Sequence, residues 1–427
     1  MRRLLYIDSS YTLSQIRERG LDDVLRIRFL DGYFDRVWSA HPVDTHPTAK
    51  SELGPAGKPV FENLSADHVF VRGRYGRYPT LARIAPLNVL MALGSFVAAL
   101  VRLVRREKIS VIRAGDPLLC GLIGLIVARL TGKLLVVRVN AHNDMIRADT
   151  GTPMMPSLFR FHFVEKFIEK VVLSRADGVV APSQYYADFA KKKGALVERI
   201  AIVRYGNLID RRHLVAPSER ALLDDAAFLQ RLNERRWMVH VGRLHRLKHA
   251  EDCYDVVSLL AGQGSDVGLL LVGDGPLRDV IKQRAENDGL SDRVLLLGNV
   301  NQDVLAKLLP QCTLALSPLT GRALAEVAFA GLPIVAYDLD WQREIVETDV
   351  TGVLVPAFDI KKMAEGAAWL LQDAECRKQF GEAARARAFN LLDPEVQTRE
   401  EVNVYASLLD KSGLVGSREQ SPNNPSQ

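Results

Sequence analysis

Three stretches in the second half of this chain set cationic, glycine and carboxylate residues where a phosphorylated ligand could be held. In Val239 to Lys248, VHVGRLHRLK, an apolar run ends at Val241, Gly242 permits a tight turn, and Arg243 and Lys248 follow at what would be the C-terminal edge of a strand. A guanidinium fork fixes geometry and an ammonium supplies point charge, a pairing suited to a diphosphate, although two solvated loop cations would read the same way. In Leu269 to Pro276, LLLVGDGP, a second run enters the turn Gly273-Asp274-Gly275. That turn is open to close backbone approach by a ligand, or is a plain strand-to-helix connection. In Leu314 to Val355, an apolar run passes Ser317-Pro318 into Thr320-Gly321-Arg322, which opens a helix through Ala323 and Leu324 to Glu326. The N–H groups at such a helix start favour phosphate. Glu326 cannot profitably face phosphate, so its carboxylate is a candidate acceptor for hydroxyls, such as those of a ribose.

Two further loops carry candidates in the first half. Arg138 to Asp144, RVNAHND, follows the apolar run LLVV and sets Asn140, His142 and Asp144 at a strand end. A histidine there could polarise a hydroxyl or position a donor; a loop histidine bonded to backbone is the plainer alternative. Arg113-Ala114-Gly115-Asp116 ends another strand and offers Arg113 and Asp116 to an acceptor.

The elements that must position these residues alternate. Strand-like runs at Leu4 to Ile7, Val24 to Phe29, Val111-Ile112, Leu134 to Val139, Gly178 to Ala181 and Ile200 to Val203 are separated by longer periodic segments. A second series runs Trp237 to Val241, Val267 to Val272, Val294 to Leu297, Leu314 to Leu316, Ile334 to Tyr337 and Gly352 to Val355. Strands alternating with helices indicate parallel sheets, and two series of about six indicate an α/β protein of two Rossmann-like domains with a cleft between them. The expected division is 1–206, a linker at 207–236 with a short helix near Leu222 to Leu232, a second domain at 237–392, a crossing helix at 393–411 after Asp393-Pro394, and a disordered tail at 412–427.

Composition narrows the function classes. At 427 residues there is material for two cores, and the net charge of +5 comes without a cationic stripe interleaved with aromatics, which argues against nucleic acid as a partner. Cys120, Cys253, Cys312 and Cys376 are far apart in apolar surroundings and read as buried free thiols of a reducing compartment, so a cytoplasmic protein is expected. No metal-ligand spacing appears. Asp338 and Asp340 form an acidic pair near the proposed diphosphate site and read as a wall of the cleft. The 18 residues between Arg83 and Arg102 carry no charge, at the lower limit for a membrane span, yet their polar interruptions favour a buried helix. Arg102, Arg105, Arg106 and Lys108 follow, so a peripheral position on an anionic membrane surface at its inner face is a further expectation.

In this order, VGRL with a following lysine, LVGDGP, LGNV, the Gly321 turn with EVAFAGLPIVAYD, and TGVLV are similar to the donor-binding half of the family 4 retaining glycosyltransferases, which have the GT-B fold. The resemblance covers Trp237 to Ala357 and extends more loosely to Ala181 to Asn207. It implies transfer of a sugar from a nucleotide diphosphate donor, with retention and no cofactor beyond that donor, to a glycan or lipid-linked acceptor, in the manner of cell-surface polysaccharide or glycoconjugate synthesis. It implies that Arg243 and Lys248 hold the diphosphate, that Glu326 holds the donor ribose, that Gly321 and Arg322 approach sugar or phosphate, that Val300 lies by the base, and that His142 reaches the reacting sugar. Two departures stand out: Pro318 occupies the place of a second family glutamate, and Asp8-Ser9-Ser10-Tyr11 replaces a Gly-Gly turn after the first strand. A nucleotide-sugar epimerase and a non-catalytic nucleotide-sugar-binding protein are the alternatives on the same architecture.

Overall fold

The computed structural model describes residues 1–18, 21–44, 58–74, 85–155 and 161–412. Its first sheet has eight strands: β1 (Arg3–Ile7), β2 (Arg36–His41), β3 (Val60–Asn63), β4 (His68–Arg72), β5 (Val111–Ala114), β6 (Leu134–Arg138), β7 (Gly178–Ala181) and β8 (Ile200–Ile202), in the order β3-β4-β2-β1-β5-β6-β7-β8. All neighbours are parallel except the pair of β3 and β4. The second sheet is wholly parallel: β9 (Arg236–Val241), β10 (Val267–Val272), β11 (Val294–Gly298), β12 (Leu314–Ser317), β13 (Ile334–Tyr337) and β14 (Gly352–Val355), in the order β11-β10-β9-β12-β13-β14. The central strands are buried on both faces, which is why they read as unbroken apolar runs.

One expected strand is not a strand. Val24 to Phe29 forms the helix Asp22–Arg26 and a 3-10 turn Ile27–Phe29, which ends at Leu30 and Asp31, both with positive φ. Asp22 and Asp23 in its first turn and Arg26 in its last favour a helix electrostatically. β2, β3 and β4, not anticipated, extend the first sheet beyond β1.

The segment between the sheets is fastened to the second domain. Arg220 donates to the carbonyls of Val215, His213, Ala306 and Phe329, and the helix Ala226–Asn233 is capped by Asp225. After the helix Ala374–Leu392, Asp393 caps the helix Pro394–Lys411, with Pro394 at its start. This last helix crosses back to the first sheet, where Tyr405 and Leu409 pack with Leu4, Val111, Val136 and Val180. The tail beyond Ser412 lies outside the described residues.

The helix Ala85–Arg106 turns Ala92, Phe96, Leu100, Leu103 and Val104 inward and leaves Leu90, Arg102, Arg105 and Arg106 outside. This is the spacing of a one-sided surface helix. Among the described residues no helix is long and apolar enough to cross a membrane.

Candidate active site

The turns after β9 and β10 are built against each other. Gly242 N–H donates to Val272 O, Leu244 N–H to Asp274 O, and Leu277 N–H to Leu244 O, at 2.9, 3.0 and 3.0 Å. A Cβ on Gly273, whose φ is +130°, would stand 1.9 Å from Gly242 O, and one on Gly275 would stand 2.3 Å from Leu244 O. Both glycines are therefore required by the neighbouring loop, and the close approach read from sequence is backbone to backbone. Asp274 is exposed and accepts from Gly275 N–H.

What this packing achieves is placement of cations. Arg243 is exposed at the loop tip, while Lys248 ends a 3-10 turn, Arg246–Lys248, and is partly buried. Its Nζ lies 3.8 Å from where a Cβ of Gly321 would stand. Among the described residues no carboxylate comes within ion-pair distance of either cation. Burial pulls the Lys248 ammonium below the ordinary lysine range, with the Asp340 charge opposing that shift and Arg243 adding to it. An ammonium held without a direct counter-ion is disposed to receive an anion.

Across from it, Gly321 has φ +61° and turns the chain into the helix Ala323–Phe329. Backbone bonding there starts with Leu324 N–H donating to Gly321 O. The side chains of Ala323 and Leu324 belong to the core, so any contact they make with a ligand is through backbone. Thr320 is buried with Oγ unpartnered. Arg322 is exposed and reaches Leu208 O. Gln342, fully buried, donates to Ser317 O and Pro318 O at 3.1 and 2.8 Å and thereby fixes the loop that carries the proline. Glu326 is buried and faces Gln302, whose amide N lies 3.5 Å from its Oε1; the Gln302 carbonyl pairs with buried His213 at 2.6 Å. Gln302, His213 and Gln342 were invisible as site residues, because each belongs to a segment with no motif of its own. Val300 is partly buried against the core beside Asn301, the cap of the helix Gln302–Leu308.

On the first-domain side His142 caps the helix Asn143–Thr150. Its Nδ1 accepts from Met145 N–H at 3.2 Å, and its ring packs on Phe189 and Tyr185 at 4.5 and 5.0 Å between centroids. With Nδ1 an acceptor, the ring proton of the neutral form resides on Nε2. Burial lowers the His142 pKa, with Asp144 opposing, so the ring is a neutral donor near pH 7. This helix packs against the turn that carries Lys248, which brings the His142 loop and the diphosphate candidates to one cleft.

The other first-domain candidates are committed elsewhere. Asp144 is held by Arg147 at 2.9 Å and Lys193 at 2.8 Å. Asn140 bridges Arg138 Nε and Gly115 O. Asp116 accepts from Leu118 and Cys120 N–H and so caps the helix Leu119–Thr131. Arg113, expected to face an acceptor, is 3% exposed, lies 2.5 Å from Glu401 of the crossing helix, and sits over the Tyr6 ring. A strand-end arginine looks the same in sequence whether it serves a ligand or a helix returning from the far end of the chain.

The domains meet at two carboxylates, Asp340 just ahead of the short helix Gln342–Ile345 and Glu344 within it. Glu344 accepts from Gln184 N–H at 2.8 Å and pairs with Arg204 at 3.0 Å. Asp340, 6% exposed with φ +58°, accepts from Tyr186 OH at 2.9 Å, while its Oδ1 is buried without a partner. Asp338, by contrast, pairs outward with Arg343. Burial pushes Asp340 up to about 6, against the lowering effects of the Tyr186 bond and of Lys248. An unfolded aspartate titrates near ~4, so the folded chain binds this proton more tightly, and this contribution to stability is lost as pH rises from about 4 through about 6. Asp340→Asn, which carries no charge at any pH, is expected to melt at a higher temperature than the parent at pH 8 and to converge with it near pH 4. A difference in melting temperature that does not widen with pH would exclude a buried, protonatable Asp340.

Residues 225–387 match the family described as Glycosyl transferases group 1. The match spans most of the second domain. It contains Arg243, Lys248, Gly321 and Glu326. Along most of its length the chain is similar to the N-acetyl-alpha-D-glucosaminyl L-malate synthase of Bacillus anthracis, with 23% identity over 76% of this chain and 81% of that protein. Sucrose-phosphate synthase of Thermosynechococcus elongatus superposes with a TM-score of 0.73 at 18% identity, covering 96% of this chain and 100% of that one. The Anabaena protein HepE in complex with UDP-glucose superposes with a TM-score of 0.68, also at 18% identity, over 95% and 100%. The two α/β domains, one sheet wholly parallel and the other parallel but for β3, together with the long C-terminal helix form the GT-B fold.

Proposed function

We propose that this glycosyltransferase moves a sugar from a nucleotide diphosphate donor to a hydroxyl of a glycan or lipid-linked acceptor, with retained anomeric configuration and without a divalent metal or other cofactor. The observation that carries the reading is the meeting of three elements in the cleft: the Lys248 turn, the Gly321 turn beside its ammonium, and the helix capped by His142. Arg243 and Lys248 neutralise the diphosphate as the bond from the anomeric carbon to phosphate oxygen breaks and its electron pair passes to that oxygen. The acceptor hydroxyl oxygen bonds the anomeric carbon from the same face, and its proton passes to the same phosphate oxygen. Same-face attack is favoured over a covalent glycosyl-enzyme because the nearby carboxylates are engaged: Asp144 in ion pairs, Asp340 with Tyr186 in a sealed contact, and Glu326 beside Gln302, with Pro318 where another carboxylate would stand. His142 offers its Nε2–H to the sugar, and Glu326 accepts from the donor ribose.

A uridine donor is the first to test, because HepE is seen with UDP-glucose. The positive charge at the proposed diphosphate site comes from side chains, and a metal would repel them. Activity is therefore expected to survive EDTA, and NMR of the product should show the anomeric configuration of the donor. Turnover lost on chelation and regained with Mg²⁺ or Mn²⁺ would refute the metal-free site, an inverted product would refute the mechanism, and a new nucleotide sugar formed without acceptor would make the chain an epimerase.

A further inference from the structure

The outer face of the helix His162–Arg175 has an unusual composition. Phe163 and Phe167 are 68% and 66% exposed, and Lys166 and Lys170 are exposed with them, at the i, i+3, i+4, i+7 spacing of a single helical face. Phe161, just ahead of the helix, stacks on Phe163 with centroids 5.5 Å apart. The opposite face is conventional: Ile168, Val172 and Leu173 enter the core. The only two carboxylates of this helix, Glu165 and Glu169, are fully buried and bound to Arg147 at 2.8 and 2.6 Å. Every charge this helix presents outward is consequently positive, and it alternates with phenylalanine.

Of the two neighbouring helices, Leu119–Thr131 packs beside it and Ala85–Arg106 beside that one; Leu90, exposed near the N-terminal end of the latter, lies at the same end as Phe163, whereas exposed Arg129, Leu130 and Arg105 lie at the C-terminal ends, where Arg129 reaches Arg175 O and Arg105 reaches Leu130 O. In a parallel sheet the crossover helices run antiparallel to the strands, so their N-terminal ends lie at the strands' C-terminal edge. Phe163, Phe167 and Leu90 therefore stand at the edge of the domain where the cleft opens.

Apolar rings interleaved with cations on one face, with no outward acid, complement the acyl boundary and headgroups of an anionic bilayer. A protein partner would find the same rings, but a face with charge of one sign only fits a surface of uniform opposite charge. We propose that this face docks the first domain on an anionic membrane, with Phe163 and Phe167 inserted at the acyl boundary and Lys166 and Lys170 at headgroup phosphates. The contact is thus centred on this helix, and the uncharged segment ahead of Arg102 is not its core. The consequence that a lipid-linked acceptor enters the cleft from the membrane rests on the glycosyl-transfer reading; the docking itself does not.

Flotation of the full chain with vesicles of phosphatidylcholine alone, or with about a third phosphatidylglycerol, tests it. Binding is expected to the anionic vesicles only. Phe163→Ser with Phe167→Ser should lose at least tenfold in vesicle affinity, and each of Lys166→Glu and Lys170→Glu on the order of fivefold or more. All four positions are exposed, so melting temperatures should stay at the parent value, and a variant that melts earlier is replaced by its alanine counterpart in the same assay. Equal flotation of parent and double serine variant, or no flotation of the parent at low salt, overturns the proposal. So does a parent that runs as a dimer on a sizing column and becomes monomeric with the serines, because a second copy of this chain would then cover the face. Vesicle binding without sugar transfer would leave the docking intact and count against the enzyme reading alone.

Discussion

Replacing Lys248 with alanine is expected to lower kcat by ~10² to 10³, a loss of about 3 to 4 kcal/mol of transition-state stabilisation, with a smaller effect on KM for the donor. The asymmetry follows from where charge grows. In the bound donor the diphosphate charge is shared with the sugar ester, and it concentrates on the departing oxygen only as the bond breaks. The Lys248 ammonium stands 3.8 Å from the position of a Gly321 Cβ, on the turn proposed to receive that diphosphate. The cation is partly buried and, among the described residues, has no ion-paired carboxylate, so little reorganisation is needed when the negative charge arrives. Arg243, exposed at the loop tip, contributes more to holding the donor, and Arg243→Ala should raise KM more than it lowers kcat. Lys248→Arg is not conservative here, because a planar guanidinium does not place its charge as the compact ammonium does. A folded Lys248→Ala enzyme retaining kcat within tenfold of the parent would remove Lys248 from the chemistry.

The second domain was far more legible than the first, and the reason is burial. β10, β12 and β13 are covered on both faces and so write themselves as unbroken apolar runs bounded by Gly or Pro. β3 alternates exposed and partly buried positions, and β2 carries Arg36, Ser39 and His41, so neither rises above its flanks. Val24 to Phe29 has the apolar content of a strand, but the aspartates before Val24 make it a helix. Glycine-bearing turns were legible as turns, but the carbonyls of Gly242 and Leu244 that require Gly273 and Gly275 to lack a Cβ were not. Motif order alone places Lys248 and Gly321 beyond the ends of β9 and β12 and Glu326 in the helix that follows β12, as the structure has them. The uses of Arg113 and Asp116, and the Asp340–Tyr186 contact, depend on segments brought together by the tertiary fold, and no local pattern carries that information.

The pairing at Arg113 leads to the largest expected change in stability. Glu401, on the crossing helix Pro394–Lys411, is fully buried between Arg113 at 2.5 Å and Arg138 at 3.5 Å, and it also accepts from Asn207 at 2.7 Å. Burial works against the Arg113 charge, and Glu401 more than offsets it, holding the guanidinium ionised. Glu401→Ala leaves two arginines, 3% and 2% exposed, with their charges uncompensated. Removing one partner of a buried ion pair typically costs about 3 to 5 kcal/mol, because the charge left behind is still desolvated. The loss should appear as a lower midpoint for the unfolding transition of the first domain, since Tyr405 and Leu409 of the same helix pack in its core. Glu401→Gln keeps the shape and loses the charge, so it should fall between alanine and the parent. A shape-preserving pair of changes, Glu401→Leu with Arg113→Met, should unfold at a higher denaturant concentration than Glu401→Leu alone, because it removes one of the two stranded cations. Urea midpoints for Glu401→Ala and the parent that coincide would mean the helix is held by its apolar face alone, and a double variant weaker than Glu401→Leu would mean that Arg113 is stabilised by the Tyr6 ring and not by the carboxylate.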